Sequence, residues 1–301
     1  MKPIRIATRG SELALWQANF IASALGCETE LVVLSTQGDR DQSSSLSDIG
    51  GQGIFVKEIQ TALIDDRADV AVHSAKDLPA LEPEGLAIGA FPKRGDVRDA
   101  LIGNPLGQLK RGDLIATGSP RRQVQLKALR PDIGFVPLRG NMATRFSMVE
   151  RCSAVMVAYA ALERLGRLDL VAEVFEPTQL VPQVGQGALA AECRSEDDRV
   201  KALLMEIDDL ATRLAVQSER SLLSQVGSGC SLPVGAFGKT DENSGRIDLI
   251  GFIGSMDGSN IIRVSGSGSD PVELGSRLGQ ELMTKGGSDL LDQANRCKNH
   301  G

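Results

Sequence analysis

The stretch from Ala68 to Pro79, read A-D-V-A-V-H-S-A-K-D-L-P, constrains this chain more than any other. Val70, Ala71 and Val72 make a short apolar run of the kind that fills a buried strand, and His73 to Pro79 leave it as a polar loop stopped by proline. In an open α/β sheet, ligands bind at the carboxyl ends of the strands. Lys76 and Asp77 then stand side by side at the mouth of a cleft, a placement that suits a catalytic pair. Taken alone, a Lys-Asp dipeptide after a strand reads as a solvated turn, so its neighbours have to decide the matter.

Two further stretches repeat one design. Ile4 to Thr8 reads as a strand, and Ser11 is the N-cap of a helix with apolar Leu13, Trp16, Phe20 and Ala24; Arg9-Gly10 lies between them. A strand that turns through glycine into a helix N-terminus presents free backbone N–H groups and a positive dipole end, so with Arg9 it suits a carboxylate or phosphate. Leu114 to Ala116 opens the second unit, where Thr117-Gly118-Ser119-Pro120-Arg121-Arg122 places an N-cap serine, an N1 proline and two arginines at the same junction. Gly134 to Leu138 is a strand ending in Arg139-Gly140-Asn141, with Thr144-Arg145 in the following helix, and Ala154 to Ala158 is another strand, followed by Arg164. Each half carries an anion cup, and adjacent arginines at a helix start are read here as surface cations free to bind.

Between the strand Leu31 to Thr36 and helical spacing at Ile54, Phe55, Ile59 and Leu63, residues 37–53 are rich in Ser, Gly and Asp. That composition predicts a mobile loop of lid length. Leu86 to Phe91 is a strand, and Pro92 to Asp96 a polar hinge. Pro182-Gln183-Val184-Gly185-Gln186-Gly187 is a glycine loop without the Lys-Ser/Thr of a phosphate loop, and it leads into the strand Ala188 to Glu192. Asp209 to Gln225 reads as a helix closed by Gly227. After it, Cys230 lies between glycine and serine in G-S-G-C-S-L-P, an exposed context unlike the apolar run that normally holds a structural cysteine. Three strands (Val234 to Phe237, Arg246 to Ile253, Asn260 to Ser265) and a helix from Val272 to Met283 complete a small α+β domain.

Composition narrows the function. In 301 residues, 42% hydrophobic and 24% charged, there is room for two or three domains of an ordinary globular protein. An aromatic content of 3% offers no stacking platform for single-stranded nucleic acid, and the net charge of −6 argues against a polyanion held by the global field. No window reaches the ~18 apolar residues of a membrane span, and Met1 to Ala7 lacks a signal-peptide core, so a cytoplasmic protein is expected. Five cysteines without C-x-x-C spacing and only two histidines, His73 and His300, speak against a disulfide framework or a metal site.

The motifs resemble the porphobilinogen deaminase (hydroxymethylbilane synthase) family in order along the chain: R-I-A-T-R-G-S-E-L-A-L-W-Q-A, G-I-F-V-K-E, H-S-A-K-D-L-P, S-P-R-R-Q, L-R-G-N-M-A-T-R, V-G-Q-G-A and G-C-S-L-P. Asp48 and Gln52 stand where that family often carries lysines, and Cys152-Ser153 replace its aromatic-acidic pair ahead of Arg164. The resemblance implies two doubly wound α/β lobes like those of type II periplasmic binding proteins and a C-terminal α+β domain. Lobe 1 is then residues 1–92 with 188–207, lobe 2 is 97–182, and 208–301 anchor the cofactor. The implied reaction condenses four porphobilinogen molecules, with loss of ammonia at each, onto a dipyrromethane held by Cys230 through a thioether, and hydrolysis then releases hydroxymethylbilane. Carried onto this sequence, Asp77 and Lys76 are catalytic. Cys230, Ser74, Lys76, Thr117, Ser119, Arg121, Arg122, Arg139 and Gln186 hold the cofactor, and Arg9, Ser11, Phe55, Arg139, Arg145 and Arg164 hold the substrate. A monomer without metal, nucleic-acid or membrane partner is expected. The reading from another class is a non-catalytic two-lobed anion-binding protein, which would show the same arginine cups but has no use for Cys230 in an exposed glycine loop.

Overall fold

Alternation of two along the first strand sends Ile4 and Ile6 to one side of a sheet and Ala7 to the other, and helices cover both sides. The computed structural model describes residues 2–35, 54–79, 81–227 and 233–299. In chain order the elements are β1 (Ile4–Arg9), α1 (Glu12–Leu25), β2 (Thr29–Leu34), α2 (Ile54–Ile64), β3 (Val70–Ser74) and β4 (Leu86–Ala90). There follow β5 (Asp99–Gly103), β6 (Leu114–Ala116), α3 (Pro120–Leu129), β7 (Gly134–Val136), α4 (Met142–Ser147), β8 (Ala154–Ala158), α5 (Tyr159–Arg164) and β9 (Val171–Phe175). The chain continues through β10 (Leu189–Arg194), α6 (Asp198–Met205), α7 (Leu210–Val226), β11 (Val234–Thr240), β12 (Ile247–Gly254), β13 (Ile261–Gly268), α8 (Pro271–Leu282) and α9 (Ser288–Asn299). Two compact units result, Met1–Gly95 with Gly187–Arg213, and Asp96–Gln186 with Leu214–Gly301.

In the first unit the strand order is β2-β1-β3-β10-β4. β1 runs parallel to β2 and β3, whereas β10 is antiparallel to both β3 and β4. One face packs Ile4, Ile6, Val70, Val72, Leu189 and Cys193 against Ala18 and Ile21 of α1 and Val200 and Leu204 of α6. The other packs Ala7 and Ala71 against Ile59, Ala62 and Leu63 of α2. Each fully buried Ile or Leu contributes roughly 1.5–3 kcal/mol over its exposed state, so these two layers hold β1 and β3 rigid where they end.

The second unit repeats the plan with order β7-β6-β8-β5-β9; β6 is parallel to β7 and β8, and β5 is antiparallel to β8 and β9. β5 and β9 have no counterpart in the sequence reading. β5 opens on a charged residue, Asp99, and leaves only Ala100-Leu101-Ile102 as a signal, too short to announce a central strand. In the same unit the antiparallel sheet β11-β12-β13 carries α8, and Phe252 of β12 packs with Val124 of α3 and Val181. The architecture is therefore two five-stranded mixed sheets built to one plan, each covered by helices, with a small antiparallel α+β part at the C-terminal end.

One local expectation changes. His73 and Ser74 do not leave β3 as a loop but extend it, because Ala190 and Leu189 of β10 pair with them. The polar turn starts only at Ala75, whose N–H donates to Ala188 O at 3.0 Å. Residues 37–53 lie outside the described residues.

Candidate functional site

In the first unit, the residues read from sequence converge at the carboxyl ends of β1 and β3. Ser11 caps α1, its Oγ accepting from Ala14 N at 3.3 Å, and the helix closes on left-handed Gly26. This junction sets Arg9 and Ser11 beside the β3 end, where Gln17 of α1 donates its Nε2 to Ser74 Oγ at 2.9 Å. Arg9, Ser11, Gln17, His73, Ser74 and Asp77 line one cavity of about 80 Å³, whose apolar walls include Leu13, Val56, Ile59 and Val72. Lys76 and Asp77, both half-buried, occupy the single helical turn Ala75–Asp77 that follows β3. The cavity joins a cationic side chain, hydroxyls, a carboxylate and an aliphatic wall, a combination that fits a carboxylate-bearing ring and offers Asp77 as a proton-transfer group.

In the second unit Arg121, Arg122 and Gln186 meet around a residue that the sequence did not reveal. Asp99, at the start of β5, is completely buried. Its Oδ1 accepts from Arg122 Nε at 2.9 Å, Arg122 Nη2 at 2.6 Å and Gln186 Nε2 at 2.9 Å, while Arg121 Nη2 stands 2.8 Å from Oδ2. Arg121 Nη1 also donates to Val181 O at 2.7 Å and Arg122 Nη1 to Met156 O at 3.1 Å. Arg121 and Arg122 are thus not surface cations, as their position at a helix start implies, but are 2% and 8% exposed. Neither can therefore be replaced with the small effect on the fold that a surface cation would allow. Burial pushes the Asp99 carboxyl up, but the charges of Arg121 and Arg122 and the hydrogen bonds from Arg122 and Gln186 outweigh it and hold the group at about 2. Burial pushes the Arg121 guanidinium down and Asp99 opposes that shift. A guanidinium is basic enough to stay protonated at neutral pH regardless.

The remaining second-unit residues are placed as follows. Thr117 is fully buried, and its Oγ1 accepts from Ser119 N at 3.3 Å; Ser119 occupies the N-cap of α3, but its side chain makes no capping hydrogen bond. Gly140 turns with φ 87° after exposed Arg139, and Asn141 caps α4 by accepting from Thr144 N at 3.0 Å. Arg145, half-buried, donates its Nε to Gly140 O at 3.0 Å. Arg164 ends α5, and burial lowers its guanidinium to about 10 against the opposing charge of Glu163. Buried Glu219 of α7 accepts from Gly185 N at 2.7 Å and Gly238 N at 2.8 Å, tying the glycine loop to β11. A lone glutamate within a helix gave no sequence signal for that role. Cys193 is buried in the β10 core, which pushes its thiol to about 11 and removes it as a nucleophile. Cys230, in residues 228–232, lies outside the described residues, as do Asp48, Gln52 and the side chain of Phe55.

Residues 4–202 match the family described as porphobilinogen deaminase, dipyromethane cofactor binding domain, and residues 213–284 match the porphobilinogen deaminase C-terminal domain. The chain is similar to the porphobilinogen deaminase of Mycolicibacterium gilvum, at 46% identity over 97% of this chain and 99% of the relative. It is also similar to that of Brevibacillus brevis, at 42% identity over 97% of each. An amino acid ABC transporter substrate-binding protein from Streptococcus pneumoniae shares 15% identity at a TM-score of 0.38, over 68% of this chain and 86% of its own, too slight a likeness to carry weight.

Proposed function

This chain belongs to the porphobilinogen deaminase family, and from that premise we propose that Asp77 is the principal catalytic group and that the arginines of both units receive the carboxylates of substrate and cofactor. The enzyme is a transferase of tetrapyrrole biosynthesis that condenses porphobilinogen stepwise with release of ammonia, builds on a dipyrromethane cofactor, and yields hydroxymethylbilane by hydrolysis. A non-catalytic anion binder of the same shape is not favoured by this kinship. Its finer assignment as hydroxymethylbilane synthase, its cytoplasmic location, its monomeric state and the division into lobes 1–92 with 188–207, 97–182, and a domain 208–301 are parts of the same proposal.

The residues around Asp99 fit a cofactor that carries acetate and propionate groups. One carboxylate set against two guanidinium groups leaves a buried net positive charge, and Arg121 Nε is buried without a hydrogen bond. Arg121 and Arg122 would hold the cofactor in the second unit, and the family resemblance adds Thr117, Ser119, Gln186, Arg139, Ser74 and Lys76 to the cofactor residues and Cys230 as its thioether anchor. When bound, the dipyrromethane supplies the electron-rich pyrrole carbon on which the chain grows.

The protein's own part in the chemistry is positional and electrostatic. Arg9 and Ser11 orient the substrate's carboxylates at the first cavity, and Arg139, Arg145, Arg164 and Phe55 serve the growing chain. Loss of ammonia leaves an electron-poor azafulvene, and the negative charge of Asp77 stabilises that cationic pyrrole. Carbon–carbon bond formation then releases a ring proton, which Asp77 accepts and passes on to ammonia. The observation that carries this reading is the placement of Asp77, Arg9 and Ser11 on the walls of one cavity. Asp77→Asn preserves shape while removing the charge and the transferable proton. Single-turnover rates on cofactor-loaded enzyme should fall on the order of 10²–10⁴-fold with little change in porphobilinogen affinity. A drop smaller than about tenfold moves the acid–base role elsewhere.

A further inference from the structure

Beside the cavity, on the α2 face of the first sheet, three polar side chains are buried together. His73 of β3 and Glu192 of β10 are diagonal neighbours, since Ala190 pairs with His73 and Glu192 with Ala71. Their side chains are 4% and 1% exposed, and His73 Nε2 lies 3.3 Å from Glu192 Oε2. Gln60 of α2 donates its Nε2 to the other oxygen, Glu192 Oε1, at 2.9 Å. His73 Nε2 and Glu192 Oε2 are both fully buried, and neither makes a hydrogen bond. Ile59, Leu63 and Ala71 make the surroundings apolar, so an ionised carboxylate facing an imidazole lone pair would be costly there.

We propose that His73 and Glu192 share one proton across this gap and that the pair, braced by Gln60, is a positioning element that holds the Asp77-bearing turn in register with β10. The proton converts two facing lone pairs into an attraction, whether it resides on nitrogen, as an ion pair, or on oxygen, as a neutral hydrogen bond. Its location gives it leverage. The pair bridges β3 and β10 one residue before Ser74 pairs with Leu189 and two before Ala75 N reaches Ala188 O, and Lys76 and Asp77 follow immediately. His73 also forms part of the wall of the cavity that Asp77 lines, so a shift of the imidazole reshapes the site directly. This inference rests on the reading of Asp77 as the catalytic group, on which the pair acts without touching the reacting atoms.

The chain has only two histidines, His73 and His300, which makes the imidazole directly observable. In ¹⁵N-histidine-labelled full-length protein, with His300→Gln used for assignment, His73 should show a protonated, strongly deshielded Nε2–H or an Nε2 accepting from a carboxylic acid. Either signal should return to the range of a free imidazole in Glu192→Gln. An Nε2 resonance in the ordinary range in the unmodified chain, or one that is the same in Glu192→Gln, overturns the proposal. In steady-state assays at full cofactor content, Glu192→Gln should lower kcat by about tenfold or more and leave KM within about threefold, because misplacement of the turn affects the transition state more than binding. Unchanged kcat also overturns it. Gln60→Leu, which leaves both members of the pair in place, should give a smaller loss of the same kind. The spectroscopic result does not depend on Asp77, so a failure of the Asp77→Asn test and a failure of the pair are told apart.

Discussion

Asp99→Asn tests the reasoning about the second unit most severely. The substitution keeps the shape of the side chain but removes the negative charge that, among the described residues, faces Arg121 and Arg122, all three being nearly or wholly buried. Two routes give its cost. A carboxyl held at about 2 instead of 3.8 corresponds to roughly 2 kcal/mol of stability near neutral pH. Removing one partner of a buried ion pair costs about 3–5 kcal/mol, because the opposite charge stays behind without compensation. The larger figure is expected, since two guanidinium groups are stranded. The chain's sole tryptophan, Trp16, lies in the first unit, so the suitable assay is amide hydrogen exchange in β5 and β8, read as a free energy of opening. Acid supplies the control. The folded-state pKa of Asp99 is depressed, so its contribution is fully present above about pH 4 and is lost as the pH falls from about 3.8 toward about 2. The gap between wild type and variant should therefore close over that window. Adding Arg121→Met to Asp99→Asn should recover part of the loss by removing one stranded charge. A destabilisation below about 1 kcal/mol near neutral pH, or a gap that is independent of acid, refutes the account.

Two further outcomes are expected. Cys230→Ser should abolish colour with Ehrlich's aldehyde in the denatured protein and lower the intact mass by one dipyrromethane; a modified peptide containing Cys27, Cys152, Cys193 or Cys297 would reassign the anchor. Arg139→Leu, at an exposed position, should leave the melting temperature almost unchanged while weakening porphobilinogen binding by roughly tenfold, consistent with loss of a charge-assisted hydrogen bond; unchanged KM would remove Arg139 from the site.

Local chemistry was legible in the sequence and long-range pairing was not. The strand–glycine–helix junction at Arg9-Gly10-Ser11, the start of the strand at Val70 and the Gly227 that closes α7 are all written in consecutive residues, and the structure places them as read. Arg121 and Arg122 show the limit. Their identity and helix position were plain, but their burial depends on Asp99, far away in sequence, and a strand that opens on an aspartate hides its own membership of a sheet. Likewise His73 looked like the first residue of a loop, because its partner across the sheet, β10, comes more than a hundred residues later.

The position of β10 has a consequence for biosynthesis. It lies between β3 and β4, so until residues 189–194 have been made β4 has no neighbour and the first sheet remains in two pieces. The second sheet needs nothing beyond β9, which ends at Phe175. On the ribosome, therefore, the lobe encoded second can close its sheet first, and the lobe encoded first must wait with an open edge at β3 while the whole of its insert passes by. The turn that carries Lys76 and Asp77 after β3 is built at that edge. It acquires its final geometry only when the chain returns, so this turn is among the last parts of the first lobe to form although it is translated before the whole of the second sheet.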